Sequence, residues 1–439
     1  MAAKKRPRGG KPAGPALKGA ARRIFETTGE VPPPRPVQKQ RRALTHVGGP
    51  TEVAGDPRLA EILRVALDVH PDETRTRADV HGFHTYPARM HPDTAYALVQ
   101  DLCPEGGRVL DPFCGSGTVC AEARRAGRHA FGVDANPLAT ELAWLKARGI
   151  TNDEGAVLVD AALGVREHAD IRRKKKLGAT QRYPDADVAL FEPHVLLELD
   201  GLRDAIKLLP ADDTRRLLWL VLSSLIGKVS RRPGDTTAQS APRRLGAGYT
   251  AKLFQRRTEE LITRMREYAA SLPPGAPEAK IRTGDARDLG FARDATMDVI
   301  VTSPPYAGVY DYYDHHAARL RWLGLPASQF ESTEVGSRRR LEALPFAQAL
   351  GRYQQDFARV IAEMARVLTP TGCIAFQVAD STLSGRAVHA DRLVEQMANA
   401  NGLAIVARAS QQRTNFHGAS QRAFTDRPRA EHLLLLARQ

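Results

Sequence analysis

The sequence predicts an α/β fold on a mainly parallel sheet, with a helical insertion and a disordered basic N-terminal tail. Three observations predict it. Short apolar strands recur, each running into an acidic or polar residue. Two of them are joined by a glycine-bearing loop and a helix. The excess positive charge lies outside the segments that hold these strands. The chain has 439 residues, 42% hydrophobic and 26% charged, which gives it a substantial core and excludes a wholly disordered or fibrous protein. The longest apolar run, Leu217–Ile226, is too short to span a bilayer, and the first residues lack the apolar stretch of a secretory signal. Cys103, Cys114, Cys120 and Cys373 have no CxxC spacing, which excludes a disulfide framework and a four-thiolate zinc site. A reducing, cytoplasmic location is the expectation.

Of the net charge of +14, residues 1–43 carry +10 and residues 151–280 carry +4, while the remainder is neutral. The Pro-, Gly- and Ala-rich composition of 1–43 predicts disorder. Two readings stand for it: an arm that adds sequence-independent phosphate contacts, or a solubilising leader. The expected division is a tail (1–43), a cofactor half (44–150), a mainly helical insertion suited to target recognition (151–278) and a catalytic half (279–439).

The elements follow in order. Arg108–Leu110 reads as a strand running into Asp111-Pro112-Phe113-Cys114-Gly115-Ser116-Gly117-Thr118 and a helix from about Val119 to Ala126. Gly115 and Gly117 permit a tight turn and close backbone approach to a ligand, and amides at the helix start favour a carboxylate-bearing one. The third glycine of the full dinucleotide pattern is missing, since Cys120 stands there. His129–Val133 is a second strand, ending at Asp134, 23 residues after Asp111 and near the spacing at which an acid grips ribose hydroxyls. Ala279–Thr283 ends in Gly284-Asp285-Ala286, and Asp298–Val301 ends in Thr302-Ser303-Pro304-Pro305-Tyr306. Any one such acid reads as a cap or turn former. Four consecutive strand ends with polar residues, three of them acids, point to a nucleoside-bearing ligand, because open parallel sheets bind ligands there.

These residues resemble the S-adenosylmethionine-dependent DNA amino-methyltransferases, which modify N4 of cytosine or N6 of adenine. Asp111–Thr118 is similar to the family's cofactor loop, Gly132–Pro137 to its ribose-binding segment and Gly284–Ala286 to its adenine-binding segment. Thr302–Tyr306 is similar to its catalytic loop, and His84–Pro92 to the segment over the methionine end of the cofactor. The amphipathic stretch Tyr353–Leu368, the strand Cys373–Val378 and a closing strand His432–Ala437 match the family's later elements. The resemblance covers roughly 80–150 and 280–439. It implies a Rossmann-like methyltransferase fold. It also implies cofactor binding by Asp111, Phe113, Gly115, Ser116, Gly117, Thr118, Asp134 and Asp285, and catalysis by Ser303, Pro304, Pro305 and Tyr306. The cofactor loop precedes the catalytic loop, but the long insertion precedes Asp285 instead of following it, which leaves the target-reading segment open.

The catalytic loop suits its chemistry. An exocyclic amine is a poor nucleophile until its protons are held by acceptors and its nitrogen lies in line with the methyl donor. The Ser303 hydroxyl and the Pro304 carbonyl are acceptors, while Pro304 and Pro305 remove competing donors. Tyr306 offers a face for a base flipped out of duplex DNA. No metal is needed. A neutral Ser303, where adenine-directed relatives more often carry Asp or Asn, resembles the cytosine branch. The expected partners are DNA and a cognate nuclease or defence system, in a nucleoid-associated restriction–modification role. The rivals are adenine-N6 specificity, a transfer-RNA guanine-N2 methyltransferase, and a degenerate fold acting as a DNA-binding regulator.

Other candidates carry two readings each. His81, His84 and His91 resemble a metal group, but Pro87 breaks the helix that would align 84 and 91. Tyr310, Tyr312, Tyr313, His315 and His316 read as a wall for the flipped base or as core packing. The runs Arg172–Lys176, Arg231-Arg232 and Arg256-Arg257 read as phosphate contacts or solvated faces. Gly227–Thr236 reads as a target-contacting loop.

Overall fold

The computed structural model describes residues 48–69, 73–232, 244–413 and 422–439. The basic tail and residues 233–236 of the Gly227–Thr236 loop lie outside them. Among the described residues ten strands are present: β1 (Gly48–Gly55), β2 (Arg108–Asp111), β3 (His129–Asp134), β4 (Lys280–Thr283), β5 (Met297–Thr302), β6 (Leu368–Ala379), β7 (Ser381–Leu383), β8 (Arg386–Val388), β9 (Leu403–Arg413) and β10 (Ala430–Arg438). Eight form one sheet in the order β1-β9-β10-β6-β5-β2-β3-β4, and β7 pairs with β8. Strands β2 to β6 are mutually parallel. β10, β9 and β1 then add antiparallel pairings at one side.

This order positions the site. From β2 the chain moves outward through β3 and β4, then returns to place β5 on the other flank of β2. The strand order therefore reverses beside β2, which is where open α/β sheets form their binding crevice. Two loops far apart in the sequence, after Asp111 and after Thr302, thus emerge from neighbouring strands.

Alternation along the strands divides the core. Val299 and Val301 of β5, Ala375 of β6 and Leu433 and Leu435 of β10 pack on one face with residues of helices Pro57–Leu67, Pro92–Leu102 and Thr118–Arg125. Ile300, Ile374, Phe376 and Leu434 pack on the other face with helix Phe346–Val367, which begins seven residues before the stretch expected from periodicity. Residues 151–278 supply helices Asn152–Lys174, Pro193–Leu208, Asp213–Val229 and Tyr249–Ala270, besides the short Asp185–Val188. Thr151 and Glu154 start the first of these with a reciprocal capping box, Glu154 N donating to Thr151 Oγ1 at 3.2 Å and Thr151 N to Glu154 Oε2 at 2.8 Å. These helices share one apolar cluster with Phe83, Leu138, Leu142, Leu145 and Trp322. Residues 43–439 accordingly form one compact unit. Among the described residues no helix is long and apolar enough to cross a membrane.

Candidate active site

The loop after β2 turns on two glycines with different tasks. Gly115 has φ +48°, and a Cβ there would lie 3.2 Å from the Tyr86 ring. Gly117 has φ +83° and caps helix Thr118–Arg125, and its Cβ would come within 2.5 Å of Ala143 Cα. Gly117 is therefore demanded by its left-handed φ and by helix packing. Gly117→Ala is expected to destabilise the fold by about 2–4 kcal/mol, measured as a shift in the denaturation midpoint.

Asp111 and Asp134 organise this loop. Asp134 accepts from Gly115 N at 2.9 Å and from Asn136 N at 2.8 Å, tying the end of β3 to the loop after β2. Asp111, only 4% exposed, accepts from Thr302 Oγ1 at 2.7 Å and Phe113 N at 3.1 Å. It thereby joins the loop after β2 to the loop after β5. Burial pushes Asp111 up to about 7 and Asp134 up to about 6, against the hydrogen bonds that favour their ionised forms. A raised carboxyl stabilises the fold below its unfolded value, and that contribution is lost as pH rises through the folded value. Asp111→Asn should therefore gain stability relative to the parent chain by about 1–3 kcal/mol between pH 5 and pH 8, as read from paired melts.

Asp285 lies at the end of β4, and burial that would push its carboxyl up is outweighed by Arg287. Arg287 Nη2 donates to Asp285 Oδ2 at 2.7 Å and Nε to Oδ1 at 3.0 Å, while Nη1 donates to Asp356 at 2.5 Å. The acid is thus held ionised and fixed in direction.

The residues expected from the sequence mostly converge. Phe113, Gly115, Asp134, Asp285, Ser303 and Pro305 line one cleft enclosing about 630 Å³ of empty space, its open mouth included. Asp111, Ser116 and Thr118 line an adjoining recess with Arg89 and Met90, and Ser303 and Gly115 border both. Tyr306 lines an apolar recess with Tyr353, Phe357 and Val378, and its hydroxyl lies 3.5 Å from Ser303 Oγ at the border of the cleft. Tyr353 Oη donates to Pro305 O at 2.9 Å and steadies the loop.

The sequence names Tyr86 only within the segment His84–Pro92 and singles out none of Phe330, Glu334, Val335 and Lys146. Tyr86 lies over Gly115 and stacks on His316 (centroids 4.9 Å apart, 18° between planes) and on Tyr312 (6.4 Å, 20°). Tyr312 and His316 sit four residues apart on helix Tyr312–Leu323 and share one of its faces. Both buttress the ring that covers the loop, and Tyr312 also lines the cleft. Phe330, Glu334 and Val335 close the opposite side of the cleft. Glu334 accepts from Tyr312 N at 2.6 Å, and burial pushes it up to about 7. Beneath the loop, fully buried Lys146 donates to Ser116 Oγ at 2.7 Å. Burial, and then the Arg89 charge, hold the Lys146 ammonium well below its ordinary range. A lysine ending a helix reads as a solvated cation in sequence, so nothing flagged it.

The three histidines have separate protein partners. His81 Nε2 meets Glu122 Oε1 at 2.7 Å, His84 Nε2 meets Ser223 Oγ at 3.0 Å, and His91 accepts from Asp93 N at the start of its helix. Among the described residues the one grouping with metal-ligand spacing is Asp380, Asp391 and His432. The Arg427 guanidinium lies against both of its carboxylates, and Asp380 also accepts from Ala390 N and Ala430 N. That set reads as a pin for the start of β10.

The basic runs are partly internal. Arg257 is buried and donates to the Phe83 carbonyl and to Glu260, so it cannot meet a phosphate. Arg172 pairs with Asp200 and Asp204, and Arg231 with Glu192. Lys174, Lys175 and Lys176 remain exposed.

Comparison with known proteins agrees with this geometry. A family model described as DNA methylase matches residues 37–144. The chain is 25% identical over 269 residues to the type II methyltransferase M.MvaI of Kocuria varians, covering 57% of this chain and 59% of that one. It is 20% identical over 404 residues to the type II methyltransferase M.MjaII of Methanocaldococcus jannaschii, covering 72% and 74%. Against M.BsoBI of Geobacillus stearothermophilus the identity is 21% over 271 residues, covering 56% and 53%. The chain thus spans somewhat more than half the length of two of these relatives. With the loop after β2, the acids at the ends of β3 and β4 and the Ser-Pro-Pro-Tyr loop gathered at one reversal of strand order, the chain is similar to the DNA methylases over residues 37–144 and to type II methyltransferases over more than half of its length.

Proposed function

We propose that this chain transfers a methyl group from S-adenosylmethionine to an exocyclic amine of duplex DNA, N4 of cytosine. One observation carries the proposal: Gly115, Asp134 and Asp285 line the same cleft as Ser303 and Pro305. A nucleoside cofactor and a reacting amine can then meet at one place. The donor set fits the cofactor. Asp134 accepts from ribose hydroxyls, and Asp285, aimed by Arg287, accepts from the adenine amine. Phe113, Phe330 and Val335 give apolar walls, while Asp111, Ser116 and Thr118 shape the recess at the helix start. Bound there, S-adenosylmethionine supplies an electrophilic methyl group. Ser303 Oγ and the Pro304 carbonyl accept the amine protons, which localises the nitrogen lone pair and holds it in line. Tyr306 receives the flipped base on its ring. The neutral Ser303 favours cytosine over adenine.

The helices of 151–278 carry target recognition in this reading, with Lys174, Lys175 and Lys176 toward phosphates. The type II relatives support a restriction–modification role with a cognate nuclease acting on the same sequence. Labelled cofactor offered with duplex DNA, single-stranded DNA or transfer RNA tests the substrate class. Label in duplex DNA is the expected result, and label in RNA alone would defeat the reading.

A further inference from the structure

A row of polar side chains crosses the carboxyl edge of the sheet on the face that holds Asp111 and Ser303. β5 and β6 are in parallel register with Thr302 opposite Phe376, so the next positions along the two strands are Ser303 and Gln377. Alternation puts Gln377 on the face of Cys373 and Ala375, where Val299 and Val301 of β5 also point. Glu431 of β10 and Arg413 of β9 continue the row, because Leu433, Ala407 and Ala409 point to that face as well.

This row is internally clamped. Arg413 donates to Glu431 Oε2 from Nε at 2.9 Å and from Nη2 at 2.6 Å, and Gln377 Nε2 donates to Glu431 Oε1 at 2.5 Å. A carboxylate facing an arginine only accepts, so the amide of Gln377 must turn its NH2 group toward Glu431. Its carbonyl oxygen is thereby committed to the other direction. Gln377 is 6% exposed, and Oε1 has no hydrogen-bond partner among the described residues. A buried acceptor without a donor is costly and calls for an explanation in function. The neighbourhood supplies one: Glu431 and Arg429 both act electrostatically on the hydroxyl of Tyr306, which itself lies beside Ser303.

The geometry points to Gln377 as a residue that reads the target base, its Oε1 accepting from the exocyclic amine held at Ser303, in an orientation fixed by Glu431 and Arg413. The second amide proton then faces the adjacent ring nitrogen. Cytosine and adenine both present an amine beside an unprotonated ring nitrogen, the donor–acceptor pair this fixed amide complements. Thymine, and guanine at its O6 and N1 positions, present the reverse pair, which the amide could meet only by flipping and breaking its bond to Glu431. The clamp therefore selects amino bases over keto bases. This rests on the methyl transfer proposed above.

The test compares full-length parent with Gln377→Met, which keeps the side-chain length and removes the amide. Plasmid DNA and tritium-labelled S-adenosylmethionine give kcat and KM, calorimetry gives cofactor Kd, and a melt gives stability. Turnover at least tenfold lower is expected, with cofactor Kd within twofold and a melting temperature unchanged or raised. A merely structural glutamine would lose stability and cofactor affinity with turnover. Unchanged turnover, or parallel loss of all three, would overturn the assignment. Should the methionine variant not fold, Gln377→Asn decides. It draws the amide back by one methylene, and a parental rate from it would overturn the role equally. A parent chain that labels no DNA would overturn the reaction itself and, with it, the base-reading role of Gln377.

Discussion

Ser303→Ala is expected to lower methyl transfer to DNA by about two to three orders of magnitude while cofactor affinity stays within about twofold. The hydroxyl borders both the cleft and its adjoining recess, with Tyr306 Oη 3.5 Å away. Removing it takes an acceptor from the amine at the moment the lone pair must be freed. It leaves Asp111 bonded to Thr302 and Tyr353 bonded to Pro305, so the loop keeps its shape. Single-turnover rates with labelled cofactor read the chemical step, and calorimetry reads cofactor binding. A variant that turned over normally would remove Ser303 from the chemistry. One that lost cofactor affinity in proportion would make it a structural residue.

Asp134→Ala is expected to act in the opposite order, raising cofactor Kd by about a hundredfold or more before any effect at saturating cofactor. Two losses combine. The carboxylate that meets the ribose in the proposed function is gone, and Gly115 N and Asn136 N lose the acceptor that ties β3 to the loop after β2. Asp134→Asn separates these, because an amide oxygen can still take one backbone donor. It should recover part of the loop's order but little of the cofactor affinity. Titration calorimetry with S-adenosylhomocysteine measures both. Parental affinity in the alanine variant would show that the nucleoside lies elsewhere.

The strands and their polar ends were legible because each signal is local: a short apolar run, a glycine or proline, an acid. β2, β3, β4 and β5 lie within a residue or so of their sequence expectations, and helix Phe346–Val367 was clear from its apolar stripe. What was not legible depends on partners distant in sequence. Tyr86 acquires its place only when helix Tyr312–Leu323 brings Tyr312 and His316 beneath it. Lys146 is buried because Ser116 and the segment around Arg89 close over it. Arg257 reads as surface charge beside Arg256, yet packing of the insertion against Phe83 draws it inside. Gly117 reads as permitting a tight turn, and only the next helix, which brings Ala143 against it, adds the steric demand. Gln377, Glu431 and Arg413 become a unit only through strand register.

The net charge misleads in the same way. The excess sits in residues 1–43 and 151–280, while the segments that build the cleft are neutral overall. In the proposed function charge bears on how DNA is approached, and the cleft on what is done to it.

The most direct measurement is nucleoside mass spectrometry of duplex DNA incubated with the full-length chain and deuterium-labelled S-adenosylmethionine. The account predicts labelled N4-methylcytosine, absent with Ser303→Ala. Labelled N6-methyladenine would contradict the choice of base, and DNA free of label alongside labelled RNA would contradict the assigned function.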